Sequence, residues 1–188
     1  MIFDDFNKID KKYDLIYADP PWSYFLWNKN TQKSVTQHYQ TMSKDDIINL
    51  PIQNICKDNC ILCLWVTFPC LKQGLETMEK WGFEYKTCLL NWVKLNKNND
   101  NLFLGMGSYS RANSEICLLG VKGKPLPRLR HDIRQVIISH IEEHSKKPSE
   151  ARIRIEQLFG EVEKIELFSR EEVEGWDSFG NQVKPKEF

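Results

Sequence analysis

The 188-residue chain carries 26 basic and 26 acidic side chains, so no global field draws it to a polyanion and any grip on nucleic acid has to be local. That length suits one domain, residues 1–188, with a core large enough to need neither disulfide nor metal. Neither a leader-like pattern nor an apolar run of membrane-spanning length occurs, which predicts a soluble, intracellular protein with no membrane partner.

A polar, mixed start gives way to a predicted strand over Tyr13–Ala18, which ends abruptly in Asp19-Pro20-Pro21-Trp22. Proline fixes φ and has no amide hydrogen, and Pro21 holds Pro20 extended, so the turn is stiff and its carbonyls are expected to be free acceptors. Asn28 to Gln37 reads as a polar loop. Ser43 and Asp46 have capping-box spacing, and Ile47, Ile48 and Leu50 follow before Pro51, which predicts a short helix. Ile61 to Val66 is apolar at every position, as in a central parallel strand covered on both faces. Cys60 and Cys63 lie in that strand at C-x-x-C spacing, but their odd separation points the thiols to opposite faces, so the six cysteines read as reduced thiols and not as a metal site.

Leu71, Leu75 and Met78 recur at helical spacing, with Gly82 as the stop. Phe83–Val93 and Ile116–Val121 read as strands, and β-branched Gln135–Ile138 as a further one. Gly105 and Gly107 lack the third glycine and the following helix of a phosphate loop. Ser149 is the expected cap of a last helix with Ala151, Ile155, Leu158 and Phe159 on one face and Gly160 as its stop; Lys164–Phe168 is the final predicted strand. Strands alternating with helices give an α/β sheet, mostly parallel with helices on both faces, and ligands of such sheets bind beyond the C-terminal ends of the strands. Asp19, Thr67, Lys122 and Arg170 each follow an apolar run and are expected to crowd one rim.

A rigid acceptor cluster beside an indole suits a flat, donor-bearing ligand such as a nucleobase with an exocyclic amine. The amine lone pair is delocalised into the ring; if Asp19 and the Pro20 carbonyl each accept one N–H, the lone pair can aim at an electrophilic methyl, with Trp22 stacked on the base. The same four residues also serve simply to end a strand and fill a core. Lys122, Lys124, Arg128, Arg130 and Arg134 face a single acidic residue, Asp132, in a proline-stiffened segment that suits phosphates. His140, Glu143 and His144 fit the H-x-x-E-H pattern of inverted zinc peptidases, but β-branched residues precede them and Pro148 follows, which argues against the required helix, so no metal ligand is expected.

In order along the chain, Asp19-Pro20-Pro21-Trp22, His38-Tyr39 with Thr41-Met42-Ser43, Leu64-Trp65-Val66-Thr67, Trp81-Gly82-Phe83 and Trp92-Val93-Lys94 resemble the successive motifs of the MT-A70 family of adenine methyltransferases. Glu115 through Lys122-Gly123, His144-Ser145 with Lys147-Pro148, Glu166-Leu167-Phe168 with Arg170, and Gly175-Trp176-Asp177 with Gly180-Asn181-Gln182 complete the likeness over residues 13–183. The resemblance implies a class I Rossmann-like methyltransferase that uses S-adenosylmethionine to methylate the adenine amino nitrogen in DNA, in the cytoplasm of a bacterial cell or phage-infected host. RNA adenine methylation and a catalytically silent nucleic-acid-binding subunit are the alternatives, and pairing among relatives suggests a homodimer. It also implies that Asp19 to Trp22 hold the target adenine, with Asp19 and Tyr39 where acceptor and cofactor meet. Lys122 would meet the cofactor carboxylate, and Arg170, Asn181 and Gln182 its ribose and adenine end. Lys124, Arg128, Arg130 and Arg134 would hold substrate phosphates. The chain departs from the pattern at Ser114, where a His often stands, at Ile141-Glu142 in place of a basic residue, and in having no clear acidic cofactor segment upstream of Asp19.

Overall fold

The computed structural model describes residues 1–23, 42–107, 109–143 and 146–180. Eight strands form one sheet: β1 (Ile2–Phe3), β2 (Tyr13–Ala18), β3 (Cys56–Val66), β4 (Glu84–Leu95), β5 (Ser114–Lys122), β6 (Val136–His140), β7 (Lys164–Leu167) and β8 (Asp177–Phe179). Their order across the sheet is β1-β8-β7-β2-β3-β5-β4-β6. The described helices are α1 (Lys44–Ile48), α2 (Leu71–Lys80) and α3 (Ser149–Phe159).

β3 is central because nothing in its second half tolerates water: every side chain from Cys60 to Val66 is at most 1% exposed. Its alternation divides the core in two. Cys60, Leu62, Leu64 and Val66 pack with Ile47 of α1 and Met78 of α2, while Ile61, Cys63 and Trp65 pack with Ala151, Ile155 and Leu158 of α3. Cys60 and Cys63 therefore lie on opposite faces, as the spacing requires. Gly74 lets α2 settle onto this strand, since a Cβ there would lie 2.4 Å from a Val66 methyl. The helix stops at Gly82, whose φ of +86° is a left-handed conformation that glycine adopts without steric cost.

The capping box before α1 is formed: Ser43 Oγ accepts from the Asp46 amide at 3.1 Å, and the Asp46 carboxylate accepts from the Ser43 amide at 3.3 Å. At α3, Ser149 is the first helical residue and Pro148 is the cap, so the expected Ser149 cap is one residue late. Nor is Lys164–Leu167 the last strand, because β8 pairs parallel to it. Too few residues lie in β8 and β1 for an alternating pattern to announce them.

The largest departure is the direction of β5. It runs antiparallel to both neighbours, β3 and β4, while every other pairing in the sheet is parallel. Among the described residues no helix intervenes between β4 and β5; the link folds back on itself through Phe103 N–H to the Lys94 carbonyl, 2.8 Å, and Gly105 N–H to the Ala112 carbonyl, 3.0 Å. Consecutive neighbours joined without a crossover have to be antiparallel. The start of β5 thus lies at the rim where β2, β3 and β4 end.

Candidate active site

Asp19 leaves β2 at that rim, and the turn after it is tied down twice. The Trp22 amide donates to the Pro20 carbonyl at 2.8 Å, and the Met42 amide donates to the Pro21 carbonyl at 3.2 Å. Neither carbonyl of this turn is therefore wholly free, contrary to the expectation from the prolines alone; each keeps its second lone pair. The Trp22 indole N–H donates to the Trp65 carbonyl at 2.9 Å, and the ring is only 7% exposed, packed in the core on the α2 face. Trp22 is accordingly a wall that locks the turn to the end of β3, with little open ring surface.

The Asp19 carboxylate faces Lys147, whose Nζ lies 2.6 Å from Oδ2. Lys147 is 8% exposed and also reaches Glu115 Oε2 at 3.3 Å, while Glu115 Oε1 accepts from Lys94 at 2.5 Å. Two aromatic faces back these cations: the Trp65 ring is 5.6 Å from Lys147 Nζ, and the Trp92 ring is 4.7 Å from Lys94 Nζ. Trp65 is itself held from below by its indole N–H to Tyr17 Oη, 2.7 Å.

Burial pushes the Asp19 carboxyl above the ordinary aspartate value; Lys147 pulls it down, Glu115 adds to the rise, and Arg170 is near enough to lower it again. For Lys147 burial opposes the charge, but the facing Asp19 and Glu115 carboxylates outweigh it and raise the ammonium. Burial likewise opposes ionisation of Glu115, and the two lysines overcome it and hold the acid low. Burial thus opposes charge at Asp19, Lys147 and Glu115, while the alternation of acid and base along the row favours it.

Of the residues expected at one rim, Asp19, Thr67 and Arg170 follow β2, β3 and β7 there. The chain reaches Arg170 through Phe168, whose φ of +63° is an uncommon conformation for an aromatic residue. Lys122 is a correction. Because β5 is reversed, Lys122 pairs with Cys60 at the opposite end, whereas Asp19 follows Ala18, the partner of Leu64. About 17 Å of strand, at roughly 3.3 Å per residue, separates the two levels. The segment that follows starts from that far end. The Lys124 amide donates to Asn59 Oδ1 at 2.8 Å, the Leu129 amide to the Leu158 carbonyl at 2.8 Å, and Arg154 of α3 donates to the Arg134 carbonyl at 2.6 Å. Lys124, Arg128, Arg130 and Arg134 thus lie along the α3 side and do not converge on Asp19; Arg130 is paired with Asp132.

Tyr39, Asn181 and Gln182 lie outside the described residues, as do His144 and the loop Asn28–Gln37. His140 ends a strand and residues 141–143 are not helical, so the described part of the H-x-x-E-H string offers no helical face for ligands. Lys147, Glu115 and Lys94 sit in strings that the sequence singles out but to which it gives no role. The available signal was an isolated carboxylate, Glu115, at the head of the apolar run Ile116–Val121.

The rim offers a carboxylate for an ammonium or amine donor, in Asp19, and cations for a carboxylate, in Lys147 and Arg170. That donor set is compatible with an amino-acid moiety such as the one S-adenosylmethionine carries. Comparison with known proteins agrees. The MT-A70 family model matches residues 13–182. The chain is 35% identical to the Type II methyltransferase M.MunI of Mycoplasma sp over 92% of its own length and 78% of that protein. It is 31% identical to the human N(6)-adenosine-methyltransferase catalytic subunit METTL3 and 32% to a probable N(6)-adenosine-methyltransferase MT-A70-like protein of Oryza sativa subsp. japonica. It spans only 28% and 23% of those two, while 92% of it is matched in each case. With a DPPW turn heading a charged rim and a family match over nearly its whole length, this chain belongs to the MT-A70 family of S-adenosylmethionine-dependent methyltransferases.

Proposed function

We propose that the chain transfers a methyl group from S-adenosylmethionine to the exocyclic amino nitrogen of adenine in DNA. The observation that carries this is the Asp19 carboxylate, held at the strand rim by a doubly tied proline turn and faced by the Lys147 ammonium at 2.6 Å. S-adenosylmethionine supplies an electrophilic methyl group on a sulfonium. Asp19 accepts one amine N–H, and the Pro20 carbonyl offers the second lone pair that the Trp22 amide leaves unused. Accepting both hydrogens draws the nitrogen toward a tetrahedral shape and aims its lone pair outward. The N–C bond forms as the S–C bond breaks, and the extra proton of the methylated amine passes to solvent, so Asp19 acts by orientation and charge without having to be a strong base. Trp22 closes the pocket as its wall. Lys147, at the rim, takes the place first expected for Lys122 as the cation for the cofactor carboxylate, beside Arg170. Tyr39, Asn181 and Gln182 remain part of the proposed cofactor and acceptor site.

DNA is preferred because the relative covered over most of its length is a Type II methyltransferase. A base in a duplex has to leave the stack to reach Asp19. RNA is the second reading, favoured by the similarity to METTL3. Among the described residues no helix is long and apolar enough to cross a membrane. A cytoplasmic setting, in a bacterial cell or phage-infected host, fits six cysteines that are all free thiols. A homodimer is also proposed, supported by exposed Leu104 and Met106 on the β4–β5 link and Ile138 on the edge strand β6.

The test is tritium transfer from labelled S-adenosylmethionine to adenine-containing DNA and RNA oligonucleotides, with Asp19→Ala alongside. Transfer to DNA is expected, with a loss of about 10²–10³-fold or more in the variant. Absence of transfer to either polymer by the wild type, or undiminished transfer by Asp19→Ala, overturns the assignment.

A further inference from the structure

Asp19, Lys147, Glu115 and Lys94 form a continuous ion row whose far half has no place in the reaction described above. Lys147 has carboxylates on two sides, Asp19 at 2.6 Å and Glu115 at 3.3 Å, and Glu115 is engaged by Lys94 at 2.5 Å. The side chains of Lys147, Glu115 and Lys94 are 8%, 16% and 17% exposed, so water screens them far less than it screens a surface pair. The fold makes the row deliberately local. Glu115 reaches this rim only because β5 is reversed, and it pairs in register with Trp92, two residues before Lys94 on β4.

An acceptor already bonded to an ammonium has less to offer an incoming amine. Beside its part at the cofactor carboxylate, Lys147 has two effects in tension: it favours ionisation of Asp19, and it occupies Oδ2, one of the two oxygens that Asp19 can offer the amine. We propose that Glu115 and Lys94 are positioning residues that set this balance, Glu115 as a second seat that draws Lys147 off Asp19, and Lys94 as the counter-charge that limits how strongly Glu115 does so. The proposal rests on the reading of Asp19 as the amine acceptor. Glu115 touches neither the amine nor the methyl in this scheme; it acts through Lys147. With Glu115 neutral, one of the two row carboxylates that Lys147 faces has lost its charge. With Lys94 removed, Glu115 competes for Lys147 without restraint, and Asp19 loses cationic support.

These two changes push Asp19 in opposite directions, whereas a row without charge coupling to Asp19 would move it in neither. The experiment follows the Asp19 carboxyl by ¹³C NMR titration in the full chain, the resonance assigned with Asp19→Asn, and measures the pH profile of kcat/KM for methyl transfer to DNA. Glu115→Gln is expected to move the Asp19 titration and the acid limb about one pH unit down. Lys94→Met should move both up, and Lys94→Arg should restore the wild-type profile. Thermal midpoints confirm that each variant is folded. Titrations that stay in place, or move the same way in Glu115→Gln and Lys94→Met, overturn the proposal. Titrations displaced as stated in a protein whose wild type transfers no methyl group, or whose acid limb ignores them, uphold the ion row and overturn instead the reading of Asp19 as the acceptor.

Discussion

Asp19 gains its character from neighbours more than from its own chemistry. A carboxylate on a flexible turn would ionise at its ordinary value and bind whatever donor arrived. Here burial raises it, and a lysine 2.6 Å away opposes the rise. Because the raised group has to be ionised to accept the amine, the acid limb of kcat/KM is expected above the ordinary aspartate value of about 3.9. A pH profile whose acid limb lies at or below that value would contradict the role given to its burial. Lys147→Met removes the cation that both Asp19 and Glu115 face. It is expected to raise the cofactor KM by about tenfold or more and to lower kcat as Asp19 loses ionisation, by analogy with losing one partner of a buried charge pair. Steady-state kinetics in S-adenosylmethionine at neutral pH checks both.

At the scale of elements, the reversal of β5 exchanges its two ends, so the rim receives Glu115 and loses Lys122. Lys122→Met is accordingly expected to leave the cofactor KM within about twofold of wild type, in contrast to Lys147→Met; comparable losses in the two variants would show that Lys122 reaches the site after all. Packing supplies an independent check at α2. Alanine is a better helix former than glycine by roughly 1 kcal/mol. Its Cβ at position 74 would nevertheless stand 2.4 Å from a methyl of Val66, on a strand buried on both faces. Overpacking of that kind costs about 1–3 kcal/mol, so Gly74→Ala is expected to destabilise on balance, read as a lower denaturant midpoint at unchanged slope.

For the whole molecule, the N-terminal amino group, Lys11 and Tyr13 converge on one acid, Asp177 of β8, beside the edge strand β1. Burial pushes the Asp177 carboxyl of β8 up, but the N-terminal amino group, Lys11 and the Tyr13 hydroxyl outweigh it and hold it below the ordinary value. A depressed carboxyl contributes stability that is present above its unfolded value, about 3.9, and lost as pH falls through the lower native value. Thermal midpoints of the wild type should therefore fall below about pH 4, and Asp177→Asn should start lower and lose less over the same range. The proposed homodimer is testable by light scattering: replacing exposed Leu104, Met106 and Ile138 by serine should halve the apparent mass, and a wild type already monomeric at micromolar concentration would dispose of it.

The fold was legible wherever one residue pattern had one packing solution. The apolar run Ile61–Val66 could only be covered on both faces, and the spacing of Leu71, Leu75 and Met78 could only be one side of a helix. Asp19-Pro20-Pro21-Trp22 was legible as a stiff turn after a strand because proline dictates its own backbone. The sequence by itself determined strands β2 to β7 and helices α1 to α3, the capping box at Ser43, the opposed faces of Cys60 and Cys63, and the family through the order of its motifs. Tertiary structure alone decided which charges meet. An apolar strand reads the same in either direction, so nothing in Ile116–Val121 reveals whether Glu115 or Lys122 stands at the rim, and only pairing with β3 and β4 answers it. Lys147 lies 128 residues from Asp19, and no local pattern records a contact over that separation. Periodicity reports burial, which is a property of each segment, whereas an ion row is a property of where segments end, and that is fixed only when the sheet closes around its core.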